Sequence, residues 1–371
     1  MDLRDRLEPV VAVARETAPT VDAEGTYPEA SVAALRESGL LGLTVPDTAG
    51  GLGGGAHELV DVVSALAAAC GSTAMIYLMH VSATMTVAAA PPAGLPDLLP
   101  RLGSGEALAS LAFSEAGSRS HFWAPVSKAS HNGAGVHLDA RKSWVTSAGH
   151  ADVYVTSTLS PDVDEVDIYA VPADTSGITV AGDWHGMGLR GNASNPMTFD
   201  LVVPEDHRLG APGTGFELML QAVMPWFNLG NAAVSLGLCE AAVAAAVRHT
   251  SAAQLEHLAQ SLSALPTIRA QLAKMSIDLT ATRAYVERAA GRLVTPADDT
   301  MLHVLGVKAV ANDAALRITD SAMRVCGGAA FSKHLQIDRY FRDARAGSVM
   351  APTADVLYDF YGKAITGQPV F

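Results

Sequence analysis

Arg342-Asp343-Ala344-Arg345-Ala346-Gly347-Ser348-Val349-Met350-Ala351-Pro352-Thr353-Ala354-Asp355, running on to Gly367, is the stretch from which the rest of the chain is read. Two arginines and an aspartate fall within four residues, a grouping that reads as a structural ion-pair network rather than a catalytic dyad. The chain then turns through Ala351-Pro352-Thr353. Upstream lie two amphipathic helical patterns, at about 264–294 and 298–326, parted by Thr295-Pro296. Gly327-Gly328 stops the second. The segment 216–250 is apolar on most faces and reads as a central helix buried on several sides, with a kink or break expected at Pro225.

Before residue 214 the pattern changes. Short alternating segments at 135–140, 142–147, 153–158, 166–171 and 197–203 are separated by Asn-Gly, Ser-Pro-Asp and Asp-Thr-Ser-Gly turns, the signature of a compact antiparallel β domain. Residues 2–16 have helical spacing. A second helix opens at Tyr27-Pro28-Glu29-Ala30 and ends near Gly39, and helices follow at 56–71 and 73–90. The glycine run 50–55 fits neither GxGxxG nor GxxxxGK[ST] and reads as a tight turn. The fold class is therefore α+β and multidomain: an N-terminal helical domain (1–110), a middle antiparallel β domain (111–213) and a C-terminal four-helix-type bundle (214–371).

Composition narrows the function. Of the 371 residues, 49% are hydrophobic and 17% charged, which suits deep cores and further apolar surface hidden in an oligomer. A net charge of -13 argues against a nucleic-acid partner. Cys70, Cys239 and Cys326 each sit in an apolar run and read as buried free thiols. No metal-ligand spacing is present. The charged N-terminus has no apolar run behind it, and the most apolar stretch, 229–247, is broken by Asn231 and Glu240; neither a signal peptide nor a membrane span is expected, and a cytoplasmic location is.

Local motifs then agree with this order. Leu41-Gly-Leu-Thr-Val-Pro-Asp-Thr-Ala-Gly-Gly-Leu-Gly53, Phe113-Ser114-Glu115-Ala116-Gly117-Ser118-Arg119-Ser120, Lys142-Ser-Trp144-Val-Thr146-Ser and Gly186-Met-Gly188-Leu-Arg190-Gly-Asn-Ala-Ser194 resemble segments of the acyl-CoA dehydrogenase superfamily. So do Gly327-Gly328-Ala-Ala-Phe331 and Arg342-Asp343-Ala-Arg345. The resemblance implies a flavin, FAD with FMN as the alternative. It places Ser114 at the isoalloxazine edge, Ser120 at the pyrophosphate, Trp144 against the ring, the Thr146 hydroxyl at N5, and Thr353 in flavin contact. Trp144 and Thr146 are two apart, so a regular strand would send both to one side. Gly327 and Gly328 close the cofactor site, and Arg324 stands where relatives carry a glutamine; a guanidinium there suits phosphate oxygens. The segment Gln254–Ser263 lacks the Arg and Phe-Gly by which relatives hold the adenine half, which is what leaves FMN open.

The resemblance also implies a catalytic glutamate, and here that position is Ala351. The alternative position on the central helix is Phe227, followed by Asn228 where relatives often carry an arginine. Phe227, Asn228 and Ala351 would line the substrate pocket, and neither a methyl nor a phenyl accepts a proton. His121, Asp355 and His80 are the candidate replacements: His121 follows the flavin-facing serines, Asp355 lies four residues beyond Ala351, and His80 lies in Tyr77-Leu-Met-His80. Two reactions follow. One is α,β-dehydrogenation of an acyl thioester on CoA or a carrier protein, with a relocated base and an electron-transfer partner. The other is monooxygenation or N-hydroxylation with reduced flavin, oxygen and a flavin reductase; Pro352, Gly362 and Gly367-Gln-Pro369 resemble that branch. A catalytically inactive flavin-binding homologue is the third reading.

Overall fold

The computed structural model describes residues 2–118 and 121–371. Five helices come first: α1 (Leu3–Glu24), α2 (Glu29–Glu37), α3 (Ala56–Ala69), α4 (Gly71–Ala89) and α5 (Leu98–Gly103). Helix α1 outruns the sequence expectation, passing Pro19 to end at Gly25, whose φ of 70° favours a residue without Cβ. Its face Val10-Ala14-Ala18-Val21 stays buried throughout, and that packing outweighs the lost backbone bond at proline. Helix α4 is buried on nearly every face.

Seven strands follow: β1 (Ala109–Ala112), β2 (Ser130–His131), β3 (Val136–Val145), β4 (Val153–Leu159), β5 (Val166–Pro172), β6 (Ile178–Val180) and β7 (Asn195–Val203). They form two sheets, ordered β1-β4-β5 and β2-β3-β7-β6. The pairings are antiparallel except β1 with β4, which is parallel. The two strands expected at 135–140 and 142–147 are one, carrying a register shift between Lys142 and Val145.

The chain then returns to helix: α6 (Gly215–Leu218), α7 (Met224–Ala252), α8 (Pro266–Val294), α9 (Thr300–Cys326), α10 (Gly328–Phe331), α11 (Ile337–Val349) and α12 (Ala354–Ile365). The break expected at Pro225 is a widened π turn over Met219–Val223, which falls where the missing Pro225 N–H would have bonded, and the helix continues through Pro225 as α7. The span Gly215–Ala252 is long and apolar enough to cross a membrane, but most of it is buried inside the protein. At Gly237 a Cβ would meet the Ser64 carbonyl at 2.1 Å, so α3 and α7 touch backbone to backbone. One large core cluster joins α3, α4, α7, α9 and α11 to the inner face of β1, β4 and β5.

Candidate functional site

The site begins with a buried ion pair. Lys142, wholly inside the β domain, donates to Glu115 Oε1 at 2.6 Å and to the Ser157 carbonyl. Glu115 also accepts the Val126 amide at 2.6 Å, the Ser127 amide at 2.8 Å and the Ser127 hydroxyl at 2.5 Å. Burial pushes the Lys142 ammonium down, and Glu115 opposes it. Burial also works to raise the Glu115 carboxyl, but the Lys142 charge and the Ser127 bonds outweigh it and leave the group below the usual range. The pair ties the loop 115–127 to β3 and β4.

The register shift directly after Lys142 sets the next residues. Trp144 takes a φ of 58° and leaves its indole 65% exposed, edge-on to Trp184 at 5.9 Å. Thr146 is 1% exposed. The expectation that the two share one side is therefore corrected: the irregularity breaks the two-residue alternation. Thr146 is held from both ends. Its carbonyl accepts the Ser110 hydroxyl at 2.6 Å, and its own hydroxyl pairs with that of Ser194 at 3.0 Å. Ser147 and Ala148 donate backbone bonds to Asn192 and Ala193. Ser114 is half-buried; its carbonyl accepts the Ser143 amide at 2.8 Å, and its hydroxyl makes no hydrogen bond among the described residues. Ser120 lies outside the described residues.

From the other side comes the link between α11 and α12. Ala351 is half-buried and packs against the main core cluster together with Trp123, Trp226 and Met350. Phe113 stacks on Phe122 at 6.2 Å, Phe122 meets Trp123 edge-on at 5.2 Å and Trp123 meets Phe360, so an apolar, aromatic wall runs from the β domain to α12; Phe227 of α7 is buried in the same core cluster. Thr353 sits at the N-cap place of α12 without a capping bond from its hydroxyl. Lys308 of α9, fully buried, donates to the carbonyls of Gly347, Met350 and Pro352 at 2.8, 3.0 and 2.8 Å.

Three sequence expectations change here. His80 is fully buried, with Nε2 donating to the Leu41 carbonyl at 2.9 Å and Nδ1 accepting the Ala109 amide at 3.0 Å. Burial pushes its imidazole down to about 4. Both nitrogens are engaged by backbone, so His80 is a structural tie between the 40–42 turn, α4 and β1, and not a base. Asp355 is exposed, and the chain leaves helix between Val349 and Ala354, so Asp355 and Ala351 do not share a helical face. Asn228 is fully buried: its Nδ2 donates to the Val304 carbonyl of α9 at 3.0 Å, and its Oδ1 has no hydrogen-bond partner among the described residues.

His121 remains. Its side chain is exposed and sits edge-on to Trp123 at 5.1 Å, and Trp123 in turn meets Phe360 of α12 at 5.5 Å. The stapled loop thus reaches the helix that follows Ala351. The expected Arg342–Asp343–Arg345 network is divided. Arg342 pairs with Asp22 and Asp338, and Arg345 stacks on Phe341 at 3.6 Å. Asp343 accepts the Leu189 amide at 2.7 Å, and burial raises its carboxyl to about 6. Arg324 is exposed near the end of α9; a Cβ at Gly327 or Gly328 would meet nothing within 4 Å. Sequence reasoning missed Ser110, Ser194 and Lys308 as parts of the site. A lysine inside Val304-Leu-Gly-Val-Lys308-Ala-Val was the available signal. Ser110 and Ser194 became visible only as partners of Thr146.

This arrangement suits a flavin. The exposed Trp144 indole offers a flat apolar face, Ser114 an uncommitted hydroxyl, and the Arg324–Gly328 edge a cation beside open backbone. A separate cleft of about 380 Å³, lined by Tyr27, His150, Trp184, Arg190 and Asn195, adjoins Trp144 through Trp184.

Comparison with known proteins completes the assignment. The sequence matches the acyl-CoA dehydrogenase N-terminal domain over residues 3–106, the middle domain over 110–202 and the C-terminal domain over 213–366. A probable acyl-CoA dehydrogenase, YngJ, of Bacillus subtilis (strain 168) is 28% identical over 347 residues, covering 91% of this chain and 89% of the relative. Butyryl-CoA dehydrogenase from Megasphaera elsdenii superimposes with a TM-score of 0.89 at 24% identity, covering 99% of each chain. FMN-bound TdsC from Paenibacillus sp. A11-2 gives 0.89 at 22% identity, covering 99% of this chain and 98% of its own. With all three of its domains matched in order, the chain belongs to the acyl-CoA dehydrogenase family of flavin-dependent oxidoreductases.

Proposed function

We propose that this protein oxidises the α,β-bond of an acyl thioester, carried on CoA or a carrier protein, with His121 as the base that removes the α-proton. The observation that carries this reading is the contrast around the aromatic wall. The two positions where relatives place a carboxylate are Ala351 and Phe227, whereas the loop that Glu115 and Lys142 hold down brings an exposed imidazole to Trp123. Imidazole is the side chain suited to proton transfer near neutral pH. Phe113, Phe122, Trp123 and Phe227 keep water from the reacting carbons.

Ser114, Trp144, Thr146 and Thr353 would hold the ring end of the flavin, and Ser120 and Arg324 with Gly327 and Gly328 a phosphate-bearing end. FAD is the reading, with FMN as the alternative. When bound, the flavin supplies the acceptor for the hydrogen and electron pair that leave the β-carbon. An electron-transfer partner would then reoxidise it, and the chain would work as a homodimer or homotetramer.

A second reading, monooxygenation with reduced flavin and oxygen, is favoured by the same apolar residues at 351 and 227. One experiment separates the two. Mixed anaerobically with a panel of acyl thioesters, the protein loses its visible flavin absorbance and yields an enoyl product, and His121→Ala slows that single turnover by about 10²–10⁴-fold. No bleaching with any thioester, together with oxygen uptake once a flavin reductase is added, selects oxygenation. A protein that takes up neither FAD nor FMN rules out both.

A further inference from the structure

Lys308 is the most unusual group outside the residues already given roles. It lies in the apolar interior of α9, yet it carries an ammonium. Among the described residues no carboxylate lies within ion-pair distance of it. An ammonium has three N–H donors and no acceptor. All three are used, on the carbonyls of Gly347, Met350 and Pro352. Gly347 lies in the last turn of α11, where carbonyls lack helical partners; Met350 and Pro352 flank Ala351 in the link to α12. The lysine therefore closes the end of one helix and fixes the path of the chain through Ala351. Gly347 assists: a Cβ there would meet Asn312 Oδ1 at 2.4 Å and Asn231 Oδ1 at 3.2 Å, so α11 is pressed onto α7 and α9.

We propose that Lys308 is a positioning residue of this site, and that the shape of the Ala351 link depends on its ammonium keeping all three protons. A neutral amine has two N–H groups and a lone pair, so one of the three carbonyls would lose its donor and face the lone pair instead. Burial alone pushes the group down to about 7, which brings the loss of that proton into the neutral range. The groups around it do not mask the effect. The nearby polar side chains of α7 and α9 are the neutral Asn228, Asn231 and Asn312, while Tyr285 of α8 and Tyr361 of α12 flank Gly306. On α11, Asp343 accepts the Leu189 amide and its carboxyl is raised to about 6, so its titration overlaps the low end of the window and is read separately in the Lys308→Met variant, which keeps it; Asp355 at the start of α12 is exposed. For activity, the inference rests on the thioester reading above; for the link itself it does not.

The test is amide hydrogen exchange over residues 347–353 in the flavin-loaded protein, corrected for the intrinsic pH dependence of exchange. Protection is expected to fall at least tenfold between pH 6 and pH 8.5, and the Lys308→Met variant is expected to show low protection at both. Where acyl thioesters bleach the flavin, kcat should fall over the same window with KM changed less than twofold. Wild-type protection that stays constant from pH 6 to 8.5 overturns the proposal, and this arm needs no variant to fold. Should no thioester bleach the flavin, the thioester reading fails, while the exchange data still decide the role of Lys308.

Discussion

His80 offers a quantitative check on whether that residue is structural or chemical. Its imidazole must stay neutral, because Nδ1 accepts the Ala109 amide and a proton there would confront an N–H. The folded protein binds that proton only near pH 4, whereas an unfolded histidine binds it near 6.5. The folded-state value is depressed below the unfolded one, so stability is lost as pH falls through this window. From pH 7 to 4.5 the loss is about 2 kcal/mol by linkage. Asp343 works the other way. Its folded-state value is raised to about 6 from 3.8, so its share of stability is full at low pH and is lost as pH rises. Acidification over the same range returns roughly 2 kcal/mol. The two act in opposite directions in the wild-type protein. Replacing His80 by Gln keeps a donor for the Leu41 carbonyl, removes the titration, and costs about 1–3 kcal/mol for the poorly served Ala109 amide. In urea titrations, the variant should gain about 2 kcal/mol of stability relative to the wild type between pH 7 and 4.5. Parallel pH profiles for the two proteins would refute the assignment of His80 as a neutral backbone tie.

Two further outcomes are expected. Lys142→Met leaves the Glu115 carboxylate buried without its partner, so unfolding free energy should drop by about 3–5 kcal/mol and limited proteolysis should cut within 115–127. Trp144→Ala should change stability by less than about 0.5 kcal/mol, because the indole is largely exposed. It should nonetheless reduce flavin retained after gel filtration at least tenfold; retained flavin would show that the indole is not part of the ring site.

The helical-β-helical order was legible because it rests on periodicity, which a sequence states directly. Residues 264–294 and 298–326 became α8 and α9 with boundaries moved by two residues at most. What the sequence could not state was where regularity fails. Alternation put Trp144 and Thr146 on one face, and a register shift separated them. Spacing put Asp355 one turn from Ala351, and the chain there is not helical. His80 was a candidate because it is a histidine on an apolar helix; its commitments come from Leu41 and Ala109, distant in sequence. The absence of carboxylates at 351 and 227 needed no coordinates. The seating of the loop that carries His121 did, since it depends on Lys142 reaching Glu115 across β3.

The widened turn at Met219–Val223 has a consequence for how this chain can vary. A π turn carries one residue more than an α turn, and one residue is about 100° of rotation around a helix. The azimuth of Trp226, Phe227 and Asn228 relative to α6 is therefore set by a single insertion in the backbone, independently of the side chains. Deleting one residue from 219–223 would remove the extra residue of the π turn and swing the aromatic run by about a quarter turn relative to α6. One codon there governs the orientation of three consecutive residues without altering any of them.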